Sequence, residues 1–327
     1  MSVTTYGDIS DRTAAFAAVD LLSRAQPYLL IEKFGQARVL PTNKTKVMTF
    51  RRYNSLDATP NPLTEGVTPT AKQLTATDVS ATLVQYGDRV SITDLIIDTH
   101  EDPVLREAVD VLGEQAAEMI ESVRYNVLKT GTNVYYANGS VRTDVNTSLS
   151  LSLQRKITRA LKRQNARKIT RVLRSTPQYG TQAVAPAYIG LCHPDIENDI
   201  RNMSGFVPVE SYGQLTPYDA EIGKVEDVRY IASTVFEPLA DAGGDAGSML
   251  STSGTKADVY PVLFLGRDAY GVVALKDTAA ITPLVVNPKP SDSDPLAQRG
   301  HVGWKAMQTA VILNDAWMCR AEVAATA

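Results

Sequence analysis

The sequence predicts a mixed α+β chain of about two domains carrying an extended β-hairpin. Three observations predict it. One long stretch keeps a single apolar stripe at helical spacing, and two strand-like segments flank a Pro-rich tip without a dry face between them. The second half of the chain then alternates short strand patterns with helical ones. At 327 residues and 35.5 kDa the chain can bury a sizeable core in each of about two domains.

The first element is a helix. Ser10 or Asp11 caps it, and Ala14, Ala15, Ala18, Val19, Leu22 and Ala25 recur at helical spacing until Pro27 stops it. Gly35 and Pro41 then break an irregular arm.

A two-stranded ribbon follows, with Lys46–Tyr53 as one strand and Val79–Thr93 as its return. Asn54, Pro60, Asn61, Pro62, Gly66 and Pro69 form the turn-rich tip between them. Met48, Phe50 and Arg52 share one face, while Val47, Thr49, Arg51 and Tyr53 share the other, so neither is cleanly apolar. A lone two-stranded ribbon is marginal in water. It needs a surface to lie on, and a second subunit or its own domain would supply one. The tip residues Pro60, Pro62, Glu65, Pro69 and Lys72 are the candidate intersubunit contact.

The strongest helix starts with Asp102 as cap and Pro103 at the first helical position. Leu105, Ala108, Val109, Leu112, Ala116, Met119, Ile120, Val123 and Val127 keep one stripe, and Gly131 is placed to end it. About 28 residues at 1.5 Å each make a rod of roughly 40 Å. Glu107, Asp110, Glu114, Glu118 and Glu121 are expected on its outer, acidic surface.

A second helix has the opposite sign. Leu153, Ile157, Ala160 and Leu161 point one way, and Arg155, Arg159, Lys162 and Arg163 the other. Arg167, Lys168, Arg171 and Arg174 extend the positive stretch, and no Asp or Glu occurs from Val145 to Pro194. Arg155, Arg159, Lys162, Arg163, Arg167 and Lys168 form a candidate basic face for DNA phosphates or for a neighbouring subunit. With no aromatic residue between Arg155 and Arg174, base stacking on single strands is disfavoured.

Beyond it, AYIGLCHPDIENDIRNM reads as strand, His-Pro turn and helix, and GKVEDVRYI as a turn into a strand. Asp241–Ser253 reads as a Gly- and Ser/Thr-rich loop, VYPVLFLGRDAYGVVAL as strand, turn and strand, and Pro283–Pro295 as a linker. The final segment alternates Trp317, Cys319, Ala321 and Val323 against Met318, Arg320 and Glu322, as a half-buried strand does.

Composition excludes several function classes. Two cysteines and three histidines cannot build a disulfide framework, a multi-cysteine zinc site or a His-rich metal centre. No apolar run approaches a membrane span, and no basic n-region opens the chain; with a net charge of −3, a soluble protein of a reducing compartment is expected.

Chemical motifs are equally sparse. Cys192 and His193 are strand neighbours pointing to opposite faces, a poor nucleophile–base pair. His100, Glu101 and Asp102 converge badly on one metal. Ser253–Lys256 has Gly and Lys in the wrong order for a phosphate loop, and DAGGDAG matches no calcium or dinucleotide fingerprint. Asp292 and Asp294 sit in what reads as a polar linker. No cofactor and no catalysis are expected.

Several segments in order resemble the major capsid proteins of tailed bacteriophages, with a podovirus-type branch nearest. They are YGDISDRTA from Tyr6, THEDPVLREAVDVLGEQAAEMIESVRYNVLKTGTNV from Thr99, AYIGLCHPDIENDIRNM from Ala187, GKVEDVRYI from Gly223 and DPLAQRGHVGWKAMQTAVILNDAWMCRAEV from Asp294. The resemblance implies a Hong Kong 97-type capsid fold: an N-terminal arm over 1–45, an extended loop over 46–93, a peripheral domain over 94–152 and 296–327 with the long spine helix, and an axial domain over 153–295. It also implies a structural subunit that forms hexamers and pentamers of an icosahedral head around double-stranded DNA, held non-specifically. Portal, separate scaffolding and decoration proteins are the implied partners. Scaffolding is expected to be separate because only about ten residues precede the first helix. A virion location, assembly in the host cytoplasm and no membrane contact complete the expectation. Two rivals remain at this point: an encapsulin-like compartment subunit, and a non-specific DNA-binding protein acting through Arg155–Arg174.

Overall fold

The computed structural model describes residues 29–95, 104–170, 172–175, 181–183, 186–212, 217–275, 281–286, 288, 290, 295–296 and 298–327. The expected first helix and the cap at Asp102 and Pro103 lie outside the described residues, as do His100, Glu101, Arg171, Asp292 and Asp294.

Two sheets carry the body. The larger has seven strands in the spatial order β5 (Val134–Tyr136), β16 (Met318–Val323), β12 (Tyr260–Leu265), β8 (Tyr188–Cys192), β11 (Val228–Ala232), β10 (Glu221–Val225) and β9 (Phe206–Pro208). Its central strands are buried on both faces, which is why YIGLC and YPVLFL read as continuous apolar runs. Helix α2 (Leu151–Arg163) covers one face through Leu153, Ile157 and Leu161, together with Ile196 and Ile200 from around the short helix α3 (Glu197–Arg201). The Ser150 side chain caps α2 by accepting the Leu153 N–H. Buried Gln154 ties α2 to the sheet, donating to Val225 O at 2.8 Å and accepting from the Tyr230 hydroxyl at 2.7 Å.

The opposite face of that sheet receives Leu30, Ile31 and Phe34 and the end of the long helix α1 (Val104–Leu128), through Tyr125 and Leu128. Earlier along α1, Val109, Leu112, Ala116, Ala117 and Ile120 pack on the second sheet. That sheet is built on β15 (Arg299–Ile312). Strand β4 (Val84–Thr93) pairs along one edge of β15. Strands β13 (Tyr270–Leu275) and β14 (Ile281–Val286) lie end to end along the other, and β1 (Gln36–Leu40) pairs parallel to β13. Ile92, Ala274, Ile281, Val302, Trp304 and Ala306 point from this sheet into the α1 seat.

Several expectations are corrected. Gly35–Pro41 is not irregular: it holds β1, and Gly35 is required because a Cβ there would lie 2.4 Å from the Tyr270 ring. The ribbon is shorter than 46–93. Strand β2 (Val47–Tyr53) pairs with β3 (Ala76–Thr82), Val47 opposite Thr82 and Tyr53 opposite Ala76, whereas Val84–Thr93 leaves the ribbon and joins β15. The break falls at Leu83, which is buried with Leu40, Ala81 and Val273, so one residue out of ladder sends the chain into the second sheet.

The Pro283–Pro295 linker also begins as strand. Pro283 sits in β14, an edge strand among the described residues, where a missing N–H costs no ladder bond. The segment Ala310–Val323 is divided between sheets: β15 ends at Ile312, a 3-10 turn over Asp315–Trp317 follows, and β16 enters the seven-stranded sheet. The grouping into 94–152 with 296–327 against 153–295 therefore differs from the sheets. Tyr270–Val286 joins the sheet of Arg299–Ile312, and Met318–Val323 joins that of Tyr188–Cys192. Alternation marks a strand's faces but is silent on its partner.

Glu121 is corrected as well. It lies one residue past Ile120 and four past Ala117, on the buried stripe rather than the outer surface.

Candidate assembly surfaces

The ribbon has a seated base and a bare tip. Met48 and Phe50 are half-buried against Leu40, Ala81, Leu83 and Val273 on the outer face of the β15 sheet, and the Phe50 ring occupies the space over Gly271. Of the two surfaces the sequence left open for the ribbon, the base takes its own body. Arg51 and Asp78 brace the two strands from the other face through a two-pronged pair at 2.8 Å.

Beyond Tyr53 the situation reverses. Every residue from 55 to 78 is exposed, including Pro60, Pro62, Glu65, Pro69 and Lys72. The large apolar side chains there are Leu56, Leu63, Val67 and Leu74, between 52% and 75% exposed. The tip is still ordered by local bonds. Asn54 and Thr75 close it at 2.9 Å, the Lys72 ammonium donates to Asp57 O at 2.6 Å, and Val67 N donates to Thr64 O at 3.1 Å around Gly66, whose φ of 79° suits a tight turn. Asp57 accepts from Thr59 side chain and backbone, which holds its carboxyl below the usual range.

The basic face divides in two. Arg155 reaches Glu226, Lys162 reaches Asp227, and Lys168 reaches Asp227 at 2.7 Å. These bonds hold the Glu226 carboxyl down through Arg155, and the Asp227 carboxyl down through Lys162 first and Lys168 second. Both acids sit in the two-residue turn between β10 and β11, where Val225 pairs with Val228. Sequence reading placed a turn in GKVEDVRYI without linking its Glu-Asp pair to the acid-free stretch. The signal was present, but only the fold brings the turn over α2. Arg159, Arg163 and Arg167 are exposed and make no ion pair among the described residues, and Lys156 stacks over the Tyr135 ring at 5.5 Å.

A third cluster holds the root of the N-terminal segment. Glu121 Oε1 accepts the N–H groups of Leu30 at 3.0 Å and Ile31 at 2.7 Å. Burial pushes its carboxyl up from the ordinary 4.5 to about 7, against the lowering effect of the Ile31 N–H bond, Arg124 and the Leu30 bond. Arg124, fully buried, donates to Gln308 Oε1 at 2.8 Å and to Glu32 at 3.2 Å.

The remaining motifs have structural roles. His193 Nδ1 accepts the Asp195 N–H and caps the turn before α3, while the buried Cys192 thiol donates to Ile231 O at 3.6 Å, so the two do not form a dyad. Burial drives the Cys192 thiol far above its usual range and the Cys319 thiol up to about 12, which keeps both protonated and unreactive. In the Gly-rich loop, buried Asp258 accepts from Asp241 N, Thr252 N and the Thr252 hydroxyl, and Lys256 pairs with Asp245 at 2.7 Å. Among the described residues no three His, Cys, Asp or Glu side chains gather as a metal site, and no helix is long and apolar enough to cross a membrane.

Comparison with known proteins agrees with a surface-built function. No curated protein matches the chain. Among solved structures, the capsid of Ralstonia phage GP4 is similar at 12% identity with a TM-score of 0.66, over 90% of this chain and 87% of that one. The capsid asymmetric unit of cyanophage Pam1 is similar at 13% identity with a TM-score of 0.64, over 93% of each chain. The head structure of Helicobacter pylori bacteriophage KHP40 is similar at 12% identity with a TM-score of 0.61, over 88% and 87%. These likenesses establish the Hong Kong 97-type fold. A family model described as phage capsid protein matches residues 76–320, well over half of the chain. The chain therefore belongs to the phage capsid protein family, as a structural subunit of the virion shell and not an enzyme.

Proposed function

We propose that this subunit closes into the hexamers and pentamers of an icosahedral head, each copy lending its finger over residues 54–75 to a neighbour. The observation that carries the reading is the bare tip: an ordered segment with four large apolar side chains in water and no seat on its own body. Burying those side chains on another copy supplies association energy at about 25 cal/mol per Å² of apolar surface, and a shell repeats the contact many times over. A subunit lacking Asn54–Leu74 is expected to stay folded and soluble while failing to form stable shells. Normal particles from that deletion in electron micrographs would refute it.

Within this reading the basic face splits by role. Arg155, Lys162 and Lys168 are neutralised by the Glu226–Asp227 turn and serve the fold, whereas Arg159, Arg163 and Arg167 remain for phosphates of packaged double-stranded DNA, without sequence readout. α2 and the end of α1 lie on opposite faces of the seven-stranded sheet, so an inward α2 would leave the α1 side outward. Portal, separate scaffolding and decoration proteins, joining in the host cytoplasm, are the partners such a head calls for.

A further inference from the structure

Strand β2 has one satisfied edge: among the described residues it pairs only with β3. Near the two ends of that ladder Leu83 N donates to Lys46 O at 3.0 Å and Asn54 N donates to Thr75 O at 2.9 Å. Bonded pairs alternate in an antiparallel ladder, so Lys46, Met48, Phe50, Arg52 and Asn54 turn their N–H and C=O groups toward β3. Thr49 and Arg51 turn theirs to the other edge, where no backbone partner meets them among the described residues.

A groove of about 400 Å³ runs along that open edge. Every residue from Met48 to Arg52 lines it, although successive side chains point to opposite faces of the ribbon, so the groove follows the edge of the strand. The facing wall is Gln36 and Arg38 of β1 with Leu313 and Trp317 beside the turn between the two sheets. Gln36 pairs with Gly271 and Arg38 with Val273, which puts both on the face that the ribbon base covers.

The charge of the groove is one-sided. No Asp or Glu occurs from Lys33 to Leu56. Arg38 and Arg52 are exposed and make no ion pair among the described residues, while Arg51 is engaged by Asp78. The acid in the lining, Asp268, meets Arg267 at 3.4 Å.

We propose that β2 accepts an extended acidic segment of a separate protein as the third strand of the ribbon. Main-chain bonds to Thr49 and Arg51 supply the hold, and side chains supply the choice. Along the body-facing side Met48, Phe50 and Arg52 call in turn for an apolar, an apolar and an acidic side chain. Nucleic acid fits less well, because a phosphate backbone has no donor for the free carbonyls and no apolar group for Phe50 and Leu313. The occupant is foreign: every described strand of this chain already stands in a ladder, and its exposed tip carries Pro60, Pro62 and Pro69, which lack the N–H a ladder needs. A third strand also stiffens a ribbon that is marginal with two.

The test uses the unassembled full-length subunit and a synthetic peptide, acetyl-Asp-Glu-Thr-Val-Thr-Leu-Ser-amide. Laid antiparallel to β2, the peptide sets its Glu against Arg52, its Val against Phe50 and its Leu against Met48. Trp317 lines the groove, whereas the other tryptophan, Trp304, is buried under α1. Docking should therefore give a saturable change in tryptophan emission that Trp317→Phe abolishes. Hydrogen exchange at the Thr49 and Arg51 amides should slow on saturation, and Pro in place of either peptide Thr should abolish the slowing. Arg38→Glu with Arg52→Glu should weaken binding about tenfold. Circular dichroism checks folding, and Arg38→Ala with Arg52→Ala replaces the reversal if that variant does not fold. No saturable change at millimolar peptide, or binding that leaves both amides exchanging as before, would overturn the third strand. A double-stranded DNA oligomer that binds more tightly and displaces the peptide would overturn the choice of partner. Slow exchange at Thr49 and Arg51 in shells of this chain alone would place a second copy in the groove and overturn it equally.

Discussion

Glu121→Gln isolates one buried charge. The carboxyl is fully buried and titrates near 7 instead of 4.5, so the native state holds its proton more tightly than the unfolded chain does. The stabilising contribution is therefore complete below about pH 4.5 and is lost as the pH rises from there through 7. A displacement of that size is worth about 3 kcal/mol. Glutamine keeps an oxygen to accept the Leu30 and Ile31 N–H groups but has no proton to lose. Other carboxylates titrate in both proteins, so the informative quantity is the difference between them. Denaturant unfolding of the unassembled full-length subunit from pH 4.5 to 8 should show wild type losing about 3 kcal/mol relative to Glu121→Gln. Parallel stability curves across that range would refute the assignment of a burial-raised carboxyl.

Two further outcomes follow from ion pairs and their absence. Glu221 and Arg229 form a buried two-pronged pair at 2.6 and 2.7 Å, with the Tyr212 hydroxyl and Tyr218 N–H also donating to the carboxylate. Glu221→Ala removes the carboxylate that meets this buried guanidinium and should cost about 3–5 kcal/mol in denaturant unfolding, and a loss below about 1 kcal/mol would contradict the pair's role. Reversing the arginines that make no ion pair among the described residues, Arg159→Glu with Arg163→Glu, should leave empty shells intact but lower the DNA retained per particle and flatten the salt dependence of its release. Unchanged DNA content and salt slope would remove these residues from the nucleic-acid surface.

The helices Val104–Leu128 and Leu151–Arg163 are legible because an i, i+3, i+4 stripe names its own buried face; Val109, Leu112, Ala116 and Ile120 need no further information. Central strands such as Tyr188–Cys192 and Tyr260–Leu265 were legible as short apolar runs. Partners were not. Nothing local tells Val84–Thr93 to abandon β3 for β15, because both choices offer a ladder, and the decision rests on where Leu83 and Ile92 find apolar neighbours. Glu121 was misplaced for a related reason: a charge is expected in water unless a backbone segment ninety residues earlier brings two N–H groups to meet it. The same non-locality hid the pairing of Arg155 and Lys162 with the Glu226–Asp227 turn. The comparisons support the family reading, which drew on the order of several segments along the chain rather than on any one residue.

Helix α1 is shared property. Its stretch from Val109 to Ile120 is the floor of one sheet, while Tyr125 and Leu128 are wedged under the other. Such a shared keel removes the option of a free hinge: swinging one half of the molecule against the other would tear tightly packed side chains out of their sockets. Any change in the curvature of the wall must then be taken up by flexing this rod or by shifting whole neighbours, and mechanical load on one half is handed straight to the other.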